Sequence, residues 1–384
     1  MWIPLIGFIV SLTTLLSIIA VVRFARRQRA LPAPSSDAPS VTILKPLCGA
    51  DDALERNLET FFRQTHPRFE LVFGVEGEAD PAIAVVRRLR ARYPDVRVRL
   101  VIHDGKRALN PKVSNLSAML AWGSHDLVVI SDSNVAVRPD WLARMVSEFA
   151  SHPDNGLLTN LFVGTGEESL GATLENLHLA GPVAGSIAAT NEFGESTAAV
   201  GKSMMFRRTT FESLGGFESI GSFLAEDYVM GRMFAEAGYR VRLAAVTVEN
   251  VCTHTQVSTF FRRHTRWGLL RSRLTPQLYP FEPLINPMFL AVLALATGSG
   301  TALIYATALT LVRDAIQWVA LRGKKGLLAA LPLGPIKELA MLGVWALAPF
   351  LGRVAWRGKS YRVAAGTRLY AARPMAAPEK LEWE

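Results

Sequence analysis

The chain has 384 residues, half of them apolar, and a formal net charge of +9, which is material for one large domain or two ordinary ones. The positive balance does not mark a nucleic-acid binder: the basic residues gather beside apolar runs and in "FFRRHTRWGLLRSR", no nucleic-acid module signature is present, and an anionic lipid surface suits them better. Two cysteines, Cys48 and Cys252, far apart and without metal-ligand spacing, exclude a disulfide scaffold and fit a cytosolic domain.

Residues 1–22 carry no charge and are long enough to cross a bilayer, which takes roughly 20 apolar residues. "RFARRQR" follows at once. A secretory signal would place its positive charge before the apolar run, so we read an uncleaved anchor with its basic flank in the cytoplasm. Residues 23–40 form that flank and a linker, "LPAPSSDAPS".

Residues 41–257 read as one α/β domain. "SVTILKPL", "ELVFGVE", "VRVRLVIH" and "HDLVVIS" are near-continuous apolar strands. They alternate with the helical patterns "DDALERNLETFFRQT", "PAIAVVRRLRARYP" and "KVSNLSAMLAWG", which predicts a mostly parallel sheet covered on both faces. Farther on, "PDWLARMVSEFASH" reads as a helix, "GLLTNLFVG" as a strand, "SLGATLENLHLAGPVAGSIAAT" as a long helical stretch and "TAAVGKSMMFRRTTF" as a strand. A last helix starts near Glu226 and Asp227 and stops at Gly238.

Residues 258–280 predict an interfacial amphipathic helix, and residues 281–352 return to apolar composition. Two spans joined by a small-residue turn are expected first. A re-entrant hairpin broken near Pro332 and Pro335 is expected next, because an even number of crossings keeps both flanking basic clusters in the cytoplasm; a simple third span is the alternative. Arg313, Asp314, Lys337 and Glu338 fall inside these apolar segments, as ion pairs, snorkelling groups or flanks of a lipid path. Residues 353–384 read as a cytoplasmic tail.

In an open parallel sheet, ligands bind beyond the carboxyl ends of the strands, where Leu47, Glu76 and Asp132 gather. The short carboxylate of Asp132 in "DSN" suits a divalent metal that neutralises a diphosphate, with a plain Asp-Ser-Asn turn as the other reading. Asp227 in "AEDY" is a general base or a helix cap; the helix dipole would weaken it as a base and burial would strengthen it. In "RRHTRW", Arg263, Arg266 and Trp267 share one helical face, two guanidiniums for a diphosphate and an indole for a sugar or a lid. "LENLHLAGPVAGSIAATN", rich in Gly and Ala, reads as a lid over an acceptor.

Taken in order with "VTILKPLCGADDALERNLETFF", "DPAIAVVRRLRARYPDV", "NPKVSNL", "DLVVISDSNVAVRPD" and "WRGKSYR", these elements resemble the ceramide glucosyltransferase family, glycosyltransferase family 21, over nearly the whole chain. The resemblance implies a GT-A fold and inverting transfer of a hexose, glucose first, from a UDP-sugar to the primary hydroxyl of a membrane lipid, ceramide first. N-acetylglucosamine transfer to a hopanoid is the nearest alternative, ahead of a processive polysaccharide synthase or a non-catalytic nucleotide-sugar binder. The family's D, D, D, (Q/R)xxRW pattern falls on Asp80, Asp132, Asp227 and Arg263, Arg266 with Trp267. It implies Asp80 on the nucleoside side, Asp132 on metal and diphosphate, Asp227 as base, and the two arginines and Trp267 as the leaving-group clamp. Lys45, Glu76 and Lys112 join as donor-binding candidates. A divalent cation, Mn²⁺ or Mg²⁺, is implied; where relatives carry DxD this chain has Asn134, a neutral oxygen, so His254 in "VCTHTQ" is the candidate to complete the metal shell. The expected setting is an integral membrane protein with a cytoplasmic catalytic domain, in a bacterial inner membrane ahead of Golgi or ER, with no obligate protein partner.

Overall fold

The computed structural model describes residues 2–29, 38–50, 53–194, 199–356 and 359–371. Residues 31–37 of the expected linker and 372–384 of the expected tail lie outside them.

Eight strands form the central sheet: β1 Val41–Pro46, β2 Phe69–Glu76, β3 Arg97–His103, β4 Leu127–Ser131, β5 Val135–Ala136, β6 Asn155–Thr165, β7 Ser203–Arg207 and β8 Arg240–Val251, in the order β3-β2-β1-β4-β7-β6-β8-β5. The first four neighbours are parallel, as are β6 and β8, whereas β7 runs antiparallel to both β4 and β6, and β5 is antiparallel to β8. This is the mostly parallel α/β sheet that the apolar strand runs predict, with helices on both faces. Every residue of β1 and β4 is buried, which explains why these strands read as continuous rather than alternating apolar runs. One face packs on Leu58, Phe61, Val86 and Trp141, the other on Leu116, Met119, Phe211 and Phe234.

The helix Trp2–Arg29 lies where the anchor is expected, and Ile3–Gln28 within it is long and apolar enough to cross a membrane. Leu327–Phe350 also qualifies, and the described residues give up to three spans if the bent pair Tyr279–Ile285 and Met288–Thr297 is one. That differs from the expected hairpin. The sharp bend, 89°, falls before Met288 rather than at Pro332 or Pro335. Both prolines occupy first-turn positions, where a missing N–H costs no hydrogen bond and the chain continues helically. Met288–Thr297 has only 10 residues, about 15 Å of helix, too short to span alone.

Two other expectations change. The stretch read as a lid is a helix, Leu170–His178, a π segment at Leu179–Val183 and a second helix, Ala184–Phe193, packed under the apolar helices. Its small residues serve close approach, not movement: a Cβ on Gly185 would lie 2.7 Å from Gln317 Nε2. The start of the tail also folds, as a small antiparallel sheet of β9 Arg353–Trp356, β10 Lys359–Val363 and β11 Leu369–Ala371. Val354, Tyr361 and Leu369 pack with Leu224 and Leu269, and Leu224 N–H donates to the Thr367 carbonyl at 2.9 Å.

Arg313, Asp314, Lys337 and Glu338 form a closed ring. Arg313 pairs with Asp314 at 2.8 Å and Glu338 at 2.7 Å, and Lys337 pairs with the same two carboxylates at 3.0 and 2.9 Å, all four side chains being 0–2% exposed. The ring ties the helices Gly300–Arg322 and Gly334–Leu347 together, so of the three readings the ion pair is the one realised.

Candidate functional site

Asp132, Asp227 and the Arg263–Trp267 motif line one cavity of about 330 Å³, within the range usual for small-molecule sites. Its floor is the end of β4 and the start of β7. One wall is the loop into the helix Glu226–Glu236, and the opposite wall is the helix Val257–Leu274. The crevice stands beyond the carboxyl ends of the parallel pair β1 and β4, where strand order reverses, which is the reason to expect a site there.

Lysines converge on Asp132. Lys112 Nζ lies 2.9 Å from Asp132 Oδ1 and 3.0 Å from Glu226 Oε1, and donates to the Gly201 carbonyl. Lys202 Nζ lies 3.2 Å from Asp132 Oδ2 and donates to Asn134 Oδ1 at 2.9 Å. Burial alone would push the Asp132 carboxyl up, but the two ammonium groups outweigh it and hold it well below the usual range. Lys112 is likewise raised: its burial opposes the charge, and Asp132, Glu226 and Asp227 more than restore it.

Asp227 begins the helix Glu226–Glu236, as expected, and accepts from the Gly201 and Tyr228 N–H groups, each at 2.8 Å. Burial, then the charge of Glu226, push its carboxyl up to about 6, against the pull of Lys112 and the two N–H groups. The contest foreseen between burial and the helix N-terminus goes to burial.

On the opposite wall, Arg263 Nη1 lies 2.8 Å from Glu175 Oε1, and His264 Nε2 lies 3.2 Å from Glu175 Oε2. Glu175 is fully buried. Burial works against its anion, but His264 and Arg263 hold its carboxyl below the usual range. Trp267 packs edge-on against Phe162 and His264. Glu175 and Lys202 carry no motif in the sequence. A buried acid in a helical apolar stretch and a lysine just before a strand were the available signals.

Four expected residues stand elsewhere. Lys45 is fully buried, its ammonium 3.7 Å from the Phe61 ring centroid and 2.5 Å from the Asp132 carbonyl oxygen, so it props the backbone of Asp132 and is not in the cavity lining. Asp80 accepts from the Gly49 and Ala82 N–H groups, bracing the loop after β1 against the start of the helix Ala82–Arg92, as the cap reading foresaw. Glu76, exposed at the end of β2, faces Gly105. His254 fares worst as a ligand: its ring is 64% exposed, lies 3.2 Å from Glu168, and is not in the lining.

The donor set is therefore poor for a resident divalent ion. Mn²⁺ and Mg²⁺ favour about six oxygen-rich ligands. Asp132 and Asn134 offer one carboxylate and one amide, both already engaged by ammonium groups. Among the described residues, no group of three or more His, Cys, Asp or Glu side chains is poised to hold an ion.

Comparison with known proteins places this geometry in a family. The chain is 30% identical over 283 residues to ceramide glucosyltransferase 3 of Caenorhabditis elegans, covering 73% of this chain and 61% of that protein. It is 38% identical over 141 residues to the ceramide glucosyltransferase of Komagataella phaffii, covering 36% and 27%. The chain thus spans about three fifths of the length of the nematode relatives it matches. Among solved structures, the Pyrobaculum calidifontis mannosyltransferase PcManGT in complex with GDP-Man and Mn²⁺ superposes with a TM-score of 0.49 at 20% identity, covering 91% of this chain and 99% of that one. Neither donor nor metal is carried over from it. The model of Glycosyl transferase family 21 matches residues 5–369, nearly the whole length, and the chain belongs to that family.

Proposed function

We propose that this protein is an inverting glycosyltransferase that moves a hexose, glucose first, from a UDP-sugar to the primary hydroxyl of a membrane lipid, ceramide first. The observation that carries the reading is the opposition of two chemistries across one cavity: an aspartate raised to about 6 on one wall and the Arg263 and Arg266 guanidiniums on the other.

Asp227 takes the proton from the acceptor hydroxyl, whose oxygen attacks the anomeric carbon while the bond from that carbon to the diphosphate oxygen breaks. A base poised just below neutral pH is ionised yet still basic enough to help. Charge developing on the departing diphosphate is met by the Arg263 and Arg266 guanidiniums, with Lys112 adding positive charge from behind Asp132. Glu175 holds Arg263 in place. Asp132, pinned by its lysines, serves the donor side of the cavity, and Asp80 serves the nucleoside.

Leu179, Leu224, Trp267 and Leu270 make part of the lining apolar, which suits a lipid, and the clamp helix packs on the candidate span through Gly268 against Ala348 and Val344. The anchor and that span support membrane attachment, with the catalytic domain on the cytoplasmic side. A divalent cation enters this reading as a companion of the donor's own phosphates.

The test is an assay of the purified full chain with UDP-glucose and UDP-N-acetylglucosamine against ceramide and a hopanoid. Glycosylceramide formation is expected. Turnover of the hopanoid alone would replace the acceptor, and no transfer to either lipid would overturn the reading.

A further inference from the structure

We infer that Lys202 is a tethered counter-cation for the donor's diphosphate, seated where a divalent ion would otherwise bridge Asp132 and Asn134. This rests on the nucleotide-sugar reading above. The seat is set by the sheet: β4 pairs antiparallel with β7, Ser131 opposite Ser203, and the Asp132 N–H donates to the Lys202 carbonyl at 3.2 Å. Lys202 therefore stands directly across the strand pair from Asp132.

Its ammonium bridges the two oxygens expected to hold the metal, 3.2 Å from Asp132 Oδ2 and 2.9 Å from Asn134 Oδ1. Asn134 is oriented for this purpose. Its Nδ2 donates to Asn250 Oδ1 at 3.0 Å, and Asn250 Nδ2 in turn donates to Cys252 Sγ at 3.2 Å, which leaves the Asn134 oxygen turned toward Lys202. An aspartate at 134 would give up the donor to Asn250 and add the negative charge a divalent ion wants. With asparagine, the seat suits one positive charge. Lysine carries three donors; two serve these oxygens, and the third is left for the cavity that Lys202 lines.

Two consequences follow. Diphosphate binding by this chain does not require an added divalent ion, because Lys202 supplies a fixed positive charge beside Lys112. Removing that charge vacates the seat and makes binding ion-dependent.

The experiment measures binding of UDP to the full chain in nanodiscs by calorimetry, in EDTA and in Mn²⁺. The wild type is expected to bind in EDTA within about tenfold of its affinity in Mn²⁺. Loss of one charge-assisted contact in Lys202→Met should weaken binding in EDTA by about tenfold or more, and Mn²⁺ should restore most of it. Lys202→Arg, which keeps the charge, should bind in EDTA. Rescue by the ion separates the proposal from a folding defect, which Mn²⁺ would not repair; a loss that Mn²⁺ leaves in place would overturn it, as would Lys202→Met binding like the wild type in EDTA. A wild type that binds UDP only in Mn²⁺ overturns the role of Lys202 while the nucleotide-sugar reading stands. A wild type that binds UDP in neither condition overturns both.

Discussion

Two clusters of buried charge in this molecule are built from the same residue types to opposite ends. In the helical bundle, Arg313, Asp314, Lys337 and Glu338 form a ring in which every charge has two opposite neighbours and none is more than 2% exposed. In the cavity, Asp132 and Lys202 are 24% and 20% exposed, and Arg263 and Asp227 face open volume. The closed ring has satisfied its electrostatics internally. The cavity holds its charges in position with capacity left toward a space of about 330 Å³. Ionisable groups inside apolar segments invite a functional reading; here the open geometry, not the presence of charge, separates function from structure.

The contrast breaks most decisively at Asp227. Asp227→Asn keeps the shape and removes the base, and should lower kcat by about 10² to 10⁴ with UDP affinity nearly unchanged; rates measured with saturating donor check it, and an active variant would return Asp227 to the cap reading. The ring should answer in stability instead. Glu338→Gln strands positive charge in the bundle and should cost about 3–5 kcal/mol, read as a lower unfolding midpoint in detergent. Replacing all four ring residues with apolar ones of similar size should recover most of that loss. An equal loss in stability for the cavity variant would erase the distinction.

Smaller effects sharpen it. Glu175→Gln removes the charge that holds Arg263 at 2.8 Å, and should raise KM for the donor by about tenfold, the scale of a charge-assisted contact, more than it lowers kcat. Asp227 acts deprotonated, so kcat/KM should rise with pH through about 6 and fall about tenfold per unit below it. Glu226 is the second cause of that raised pKa, after burial; Glu226→Gln should therefore move the limb to lower pH, visible in a full pH profile.

Much of this was legible in the sequence because it rests on local pattern. β1 to β4 read as continuous apolar runs since both faces of a parallel sheet are covered, and the helix start at Glu226 follows from acidic residues preceding an apolar pattern. Pro332 and Pro335 misled, since a proline that opens a helical turn looks in sequence like one that breaks it. His254 misled because its place after the last long strand says nothing of which way a side chain points, and it points to Glu168.

By itself the sequence determined the α/β alternation and the long apolar N-terminal helix, consequences of hydrophobic period and local propensity, while the resemblance to the family marked Asp80, Asp132, Asp227 and Arg263, Arg266 with Trp267. Only the tertiary structure decided which of them share a cavity and which residues join them unannounced. Lys202 faces Asp132 because β7 enters antiparallel at the one register that puts Ser131 across from Ser203, and Glu175 meets Arg263 across 88 residues of chain because two helices pack, with the pair at 2.8 Å. Pairings of that kind are set by strand direction and burial, long-range choices no local stretch of sequence records.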